Sequence, residues 1–178
     1  MTILNAMNRS FTIHKGKKSQ VEHFMHARKR MLEELNEAQH RLEEVDELDS
    51  VTYINDSSAT GVMATLDSLR CITDPVVWIC QATPYDRDFI LLSRIVKHKV
   101  RAIVVVGQEA SDVRSSLGAV AGRFEACKDL ESAVEQAREW AEVGDAVLFS
   151  PSCPAGRFFE DVAHRGERFK DVVATFRQ

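Results

Sequence analysis

The stretch 55–61, NDSSATG, gathers the side chains that proteins use to hold phosphate or ribose groups. It lies between a short apolar run and an amphipathic run, where a strand would end and a helix begin. Asp56 can accept hydrogen bonds from ribose hydroxyls, and Ser57, Ser58 and Thr60 can meet an anion at the helix start. The alternative is that one hydroxyl caps the helix and Asp56 complements the helix dipole.

Two further loops are expected at the same edge of the fold. In the stretch 81–89, QATPYDRDF, we expect Asp86 and Asp88 to be ordinary acids in the first turn of a helix. The stretch 150–158, SPSCPAGRF, has two prolines and a glycine that shape its backbone. Its Cys153 has no His or Asp partner nearby in sequence, so we do not predict a nucleophile.

The sequence does not support three other kinds of site. A phosphate loop, G-x-x-x-x-G-K-[ST], placed on HKGKKSQ would need Gly at position 11 and Ser or Thr at 18, which are Phe11 and Lys18. His23 and His26 are three apart on a predicted helix but have no third ligand, so no metal site is predicted. No G-x-G-x-x-G follows a predicted strand. The residues alone predict a nucleotide-type site without a catalytic set.

The elements that position these loops alternate regularly after residue 50. Continuous apolar runs predict strands, amphipathic stretches between them predict helices, and HRLEEVDEL predicts an edge strand. Buried strands alternating with helices indicate an α/β fold, a mostly parallel, doubly wound, Rossmann-like sheet of about six strands. The predicted strands are VTYI, PVVWIC, VRAIVVVG, RFEAC and AVLFS.

The first 37 residues differ from this pattern. Residues 1–18 show no periodicity, whereas 19–36 carry apolar residues at helical spacing after Ser19, a candidate N-cap. We predict an extension with an amphipathic helix over 1–37 and an α/β domain over 38–178. The apolar stripe of helix 19–36 predicts a protein partner or self-association.

Composition excludes several classes of function. The chain has 178 residues, 44% hydrophobic and 28% charged, with a net charge of −4, which gives no electrostatic reason to bind nucleic acid. No apolar run is long enough for a membrane span, and four scattered cysteines favour reduced thiols and a cytoplasmic location. Residues 1–31 are basic and 32–50 acidic, which predicts a solvated helix paired with its acidic neighbour or a basic arm for an anionic partner.

Two blocks of the sequence resemble the C-terminal domain of Mur ligases, most closely the members that add D-glutamate in peptidoglycan synthesis. HRLEEVDELDSVTYINDSSATGVMATLDSL is similar to the pattern H-R-x-E-x-V followed by V-x-[WY]-I-N-D-S-K-A-T-N. AVLFSPSCPAGRFFEDVAHRGERFKDVV is similar to V-L-L-S-P-A-C-A-S-x-D-x-F-x-x-F-x-x-R-G-x-x-F. The resemblance covers about residues 38–177.

The resemblance implies roles for retained residues. His40, Arg41 and Asp56 match positions that touch the nucleotide, and Thr60 matches a hydroxyl near the incoming amino acid. The family's central ATP domain has no counterpart in this sequence, so ATP and Mg²⁺ are implied only together with a partner domain.

Other positions depart from the family pattern. Ser58 stands where the family has Lys, Gly61 where it has Asn, and Tyr85 at the position of a substrate-binding Lys. In the last loop, Ala155 replaces a carboxylate-binding Ser, Arg157 replaces an Asp and Val162 replaces a Phe. The loss of a Lys and a Ser would weaken D-glutamate binding by roughly two to four orders of magnitude.

Three hypotheses follow from the resemblance. The first is a stand-alone domain that binds or regulates within cell-wall synthesis and is not catalytic by itself. The second is a subunit of an ATP-dependent acid–amino-acid ligase that completes its site in trans with another chain. The third is a decayed fragment of a full ligase.

Overall fold

A computed structural model of the chain describes residues 39–81, 88–107, 110–156 and 159–177. The expected helix 19–36, the pair His23 and His26, and residues Tyr85, Asp86 and Arg157 lie outside these ranges, and the boundary at residues 37/38 stays a prediction. In chain order the described elements are β1 (Glu43–Leu48), β2 (Val51–Asn55), α1 (Val62–Cys71), β3 (Val76–Gln81), a 3₁₀ turn (Phe89–Leu92), α2 (Ser93–Lys99), β4 (Val100–Val106), α3 (Ser111–Leu117), β5 (Arg123–Cys127), α4 (Leu130–Trp140), β6 (Ala146–Phe149) and α5 (Val162–Thr175).

The described strands form one six-stranded sheet in the order β1-β2-β6-β3-β4-β5. Every neighbouring pair is parallel except β1 and β2, which form an antiparallel hairpin at one edge. The predicted mostly parallel α/β sheet is therefore confirmed, with HRLEEVDEL as its edge strand. All six residues of β3 are buried, which explains its continuous apolar sequence.

Helices cover both faces of the sheet. Along β3, Trp78 and Cys80 point into one core together with α1, α2 and α3, while Val77 and Ile79 point into the other with α4 and α5. This alternation is the two-residue period of a strand whose two faces are both buried. The doubly wound arrangement follows, and it brings the carboxyl ends of β2, β6 and β3 side by side.

The C-terminal segment forms one uninterrupted helix, α5. Asp161 caps α5 by accepting a hydrogen bond from His164 N–H at 2.7 Å. The glycine within the helix, Gly166, does not interrupt it. Instead it marks a close contact, since a Cβ there would lie 2.2 Å from His40 Nδ1.

Candidate functional site at the carboxyl edge of the sheet

Three adjacent strands end in buried polar residues. Asn55 closes β2, Gln81 closes β3, and Ser150 follows β6, and each is at most 1% exposed. The strands are neighbours in the sheet, so these side chains form a polar layer at its carboxyl edge. This is the edge at which open α/β sheets bind ligands.

Asp56 is the acidic centre of this layer and is 1% exposed. Its Oδ2 accepts from Ser150 Oγ at 2.7 Å, and its Oδ1 accepts from the backbone N–H of Leu42 at 3.3 Å. Thr65 Oγ1 lies 2.8 Å from Ser150 Oγ and 2.7 Å from Ser152 Oγ. Because the Ser150 hydrogen goes to Asp56, the hydroxyls form a directed chain from Ser152 through Thr65 to the carboxylate.

Burial raises the pKa of Asp56 above its ordinary value, although the hydrogen bond from Ser150 and the charge of Arg41 act to lower it. The carboxyl group is thus placed inside the fold, where its ionised form depends on the hydroxyl chain. The predicted nucleotide contact of Asp56 stays a prediction, since its oxygens already have partners within the chain.

Arg165, on α5, joins two loops of the edge to the end of β3 and is fully buried. Its Nη2 donates to the Ser57 carbonyl at 2.6 Å, and its Nη1 donates to the Cys153 carbonyl at 3.0 Å and to Gln81 Oε1 at 3.2 Å. Gln81 Nε2 in turn donates to the carbonyl of Ala155 at 3.0 Å. The guanidinium therefore holds the loops after β2 and β6 against the last residue of β3.

Arg165 was not among the predicted site residues. The available signal was its position in the R-G-x-x-F block, directly before Gly166. A basic residue on an amphipathic helix is usually exposed, so its burial could not be expected from the sequence pattern.

His40 is buried in a second polar cluster beside the first. Asn55 Oδ1 accepts from Ser57 N–H at 3.1 Å, which orients the amide so that its Nδ2 points at His40 Nδ1, 3.0 Å away. This assigns the His40 hydrogen to Nε2, which lies 3.6 Å from Glu167 Oε1. Glu43 Oε2 accepts from both His40 N–H and Asn55 Nδ2.

Arg41 is exposed and lies between two residues with left-handed backbone. The φ angles are 64° at His40 and 48° at Leu42. Such angles are uncommon outside glycine and persist where the surroundings hold them. Here the His40 carbonyl accepts from Ser58 N–H at 2.9 Å, and Leu42 N–H is held by Asp56. The segment that carries Arg41 is therefore pinned on both sides.

The remaining predicted residues of the first loop surround the start of α1. Thr60 is exposed and Ser58 half-buried. Gly61 is the N-cap of α1 and no side chain caps the helix, so the alternative that Ser57, Ser58 or Thr60 serves as its cap is wrong. The first N–H groups of α1 thus have no capping hydroxyl, because Ser57 instead faces α5 through its Oγ, 3.4 Å from the Val162 carbonyl.

Two of the departed positions, Ala155 and Val162, lie among the described residues. Ala155 is buried, and its carbonyl is held by Gln81. Val162 is half-buried at the first position of α5. The structure therefore brings His40, Arg41 and Asp56 together and places Thr60 on the adjoining loop, while the ligand roles of all these residues stay predictions.

Within the described ranges, no three His, Cys, Asp or Glu side chains are arranged to hold a metal ion. None of the helices in those ranges combines the length and apolar character that a membrane crossing requires. Cys80 and Cys153 are buried, Cys127 is half-buried and Cys71 is exposed.

Comparison with known proteins identifies the family. Residues 40–153, more than half of the chain, match the model of the Mur ligase, glutamate ligase domain. UDP-N-acetylmuramoylalanine--D-glutamate ligase of Salinibacter ruber is 38% identical over 136 residues, covering 76% of this chain and 30% of that protein. The same-named ligase of Roseiflexus sp. is 38% identical over 142 residues, with 78% and 30% covered.

The chain thus spans about 30% of the length of these curated relatives. A solved structure, the MurF ligase from Thermotoga maritima in complex with ADP, shares the fold with a TM-score of 0.50 at 15% identity, covering 78% of this chain and 32% of that one. The family model covers more than half of the chain, and these relatives are 38% identical over more than three quarters of it. The chain therefore belongs to the Mur ligase family, over the part that corresponds to its glutamate ligase domain.

Proposed function

We propose that this chain is a nucleotide-binding domain of the Mur ligase type that does not form the amide bond by itself and serves a binding or regulatory role linked to cell-wall synthesis. The observation that carries the proposal is Arg41, an exposed cation on a segment whose flanking residues are pinned in left-handed backbone. A guanidinium carried on a held backbone suits the recognition of phosphate oxygens, because little backbone freedom is lost on binding.

The buried residues behind Arg41 have a supporting role in this proposal. Asp56 holds Leu42 N–H, and the His40 carbonyl holds Ser58 N–H, so the Asp56 carboxylate and the His40 backbone position the segment that carries Arg41. Thr60, exposed on the adjoining loop, is available to a ligand at the same edge. The nucleotide would therefore meet Arg41 and Thr60 directly, and Asp56 and His40 through the segments they hold.

The absence of catalysis by the chain alone is proposed on chemical grounds. Activation of a carboxylate as an acyl phosphate needs bound ATP with its phosphates cradled, and the 178-residue sequence has no G-x-x-x-x-G-K-[ST] loop. Two positions that the resemblance assigns to the amino acid are Tyr85 and Ala155 here, in place of a Lys and a Ser, so a charge and a hydrogen-bonding hydroxyl are lost. The Ala155 carbonyl is already engaged by Gln81.

A thermal-shift screen tests the proposal. ATP and ADP are expected to raise the melting temperature in proportion to the logarithm of concentration above the dissociation constant, since they bind the folded state. D-glutamate and other amino acids are expected to leave it unchanged. Stabilisation by D-glutamate without any by nucleotide would contradict the proposal.

A ligase subunit that completes its site in trans is the second candidate. It is favoured by the exposure of both Arg41 and Thr60 on neighbouring loops, where a separate ATP-binding chain could reach them. Mixing this chain with such a chain, ATP, Mg²⁺ and a panel of amino acids would then release ADP. ADP release no faster than from the ATP-binding chain alone would eliminate this candidate.

A further inference from the structure

The outer edge of β5 has no strand beside it in the described part of the chain. β5 is the last strand of the sheet and pairs only with β4. Its Arg123 and Glu125 are exposed, and the Arg123 guanidinium lies 5.8 Å from the Trp140 ring on the α4 side. Between them, the half-buried Phe124 points to the other side, where the Arg114 guanidinium covers its ring at 4.3 Å.

The backbone groups that face outward can be assigned from the contact with β4. The Cys127 carbonyl accepts from Gly107 N–H at 2.7 Å, so Cys127 faces β4. Because backbone groups alternate along a strand, Glu125 and Arg123 also face β4. Phe124 and Ala126 therefore direct their N–H and C=O groups to the open edge, ready to pair with another strand.

The charges within β5 favour one antiparallel register for two copies. If two β5 strands run antiparallel about a two-fold axis through Phe124, each Arg123 lies opposite Glu125 of the other copy, and Phe124 lies opposite Phe124. The outward groups of Phe124 then exchange two hydrogen bonds. A two-fold axis through Arg123 or through Glu125 would instead oppose like charges, which is unfavourable.

The opposite edge of the sheet lacks this complementarity. Its edge strand β1 has the sequence EEVDEL, in which every charged residue is acidic. Two copies of β1 would bring only acidic side chains opposite one another, so no charge pair could form between the two strands. Only the β5 edge is thus self-complementary in both backbone groups and charge.

We propose that β5 is a self-association surface, at which a second copy of this chain adds its own β5 in antiparallel register centred on Phe124. The result is a continuous sheet across two copies, held by backbone hydrogen bonds and two Arg123–Glu125 pairs. The strand has five residues, so the dimer is of the small, reversible class.

Charge reversal tests the proposed surface by sedimentation across a concentration series. Arg123→Glu and Glu125→Arg each place like charges opposite one another twice. The dissociation constant of the dimer should therefore be about tenfold higher for each variant than for the wild type. An equimolar mixture of the two variants restores both pairs in a heterodimer and should regain wild-type association. Arg70→Glu, on α1, is the matched control and should associate like the wild type.

Disulfide trapping tests the register in a background that carries Cys71→Ser and Cys127→Ser. Phe124→Cys should form a cross-linked dimer under mild oxidation, because hydrogen-bonded antiparallel residues lie about 5.5 Å apart at Cα, within disulfide reach. Ala126→Cys should not, because the two copies of residue 126 are offset by four residues, about 13 Å along the strands.

Three outcomes would overturn the proposal. The first is a wild-type chain that remains monomeric across the concentration series, and the second is association that charge reversal leaves unchanged. The third is a mixture of the two reversed variants that stays dissociated. Cross-linking of Ala126→Cys in place of Phe124→Cys would overturn the register. The charge variants lie at exposed positions, so they test the surface independently of how the cysteine variants fold.

Discussion

Gly166 on α5 lies so close to His40 that an added Cβ would be 2.2 Å from the imidazole Nδ1 and 2.5 Å from Ser57 Oγ. No side chain fits there without moving the segment that carries Arg41 or the loop after β2. Gly166→Ala is therefore expected to lower the free energy of unfolding by about 1–3 kcal/mol, measured by urea denaturation.

The sign of that result is informative, because Ala is favoured over Gly in a helix interior by about 1 kcal/mol. Gly61→Ser is the matched control, since an added Cβ there meets no atom within 4 Å and Ser is a preferred N-cap. It should leave stability unchanged or slightly raised. A Gly166→Ala variant more stable than the wild type would contradict the close packing.

Asp56→Asn should change how stability depends on pH. Burial raises the pKa of Asp56, so the ionised form is disfavoured in the fold, and stability is lost as pH rises from the ordinary Asp range through the raised pKa. Asn keeps an oxygen for Leu42 N–H and does not ionise. The variant should therefore gain stability relative to the wild type as pH rises above the ordinary Asp range. Parallel pH profiles for the two proteins would count against this account.

Lys170→Met should change the pH dependence of stability in the opposite direction. Burial acts to raise the pKa of Glu43, but the hydrogen bond and charge of Lys170, with the N–H of His40, outweigh it and lower the pKa. The pair then contributes stability above the ordinary Glu pKa, lost as pH falls through the lowered one. The variant should be less stable by about 1 kcal/mol at pH 7 and equal to the wild type in acid. A difference that persists in acid would assign the loss to packing.

Arg165→Lys tests the three hydrogen bonds that the buried guanidinium donates. A lysine can place one donor but cannot reach the Ser57 carbonyl, the Cys153 carbonyl and Gln81 together. We expect a loss of about 2–4 kcal/mol in the free energy of unfolding, because buried acceptors lose their partners. Arg168→Lys on the same helix, where the side chain is exposed, should change stability by less than about 0.5 kcal/mol. Equal effects at the two positions would contradict the role of Arg165.

The sheet could be predicted because its strands are read from continuous apolar runs, as in VRAIVVVG, whose residues from Ala102 to Val106 are fully buried. The amphipathic stretches between the strands do not define where each helix begins and ends. The stretch FILLSRIVKHK, for example, divides into a 3₁₀ turn and the short α2, and its Ile90 and Leu91 are exposed.

The types of the site residues could also be predicted, but their environment could not. Asp56 was expected to face a ligand, whereas the fold encloses it under Leu42 and Ser150, which are distant from each other in sequence. Arg165 was missed because its partners, Ser57, Gln81 and Cys153, are far apart in the sequence. They come together only in the folded chain, where they surround the buried guanidinium.

The central claim is that Arg41 is a positioned cation for a nucleotide. Calorimetric titration of ADP into the wild type, Arg41→Ala and Arg70→Ala tests it most directly. Loss of one charge-assisted hydrogen bond, about 1.5–3 kcal/mol, should weaken ADP binding by roughly ten- to a hundredfold in Arg41→Ala and leave Arg70→Ala unchanged. Equal ADP affinities for the wild type and Arg41→Ala, or no ADP binding by the wild type, would contradict the claim.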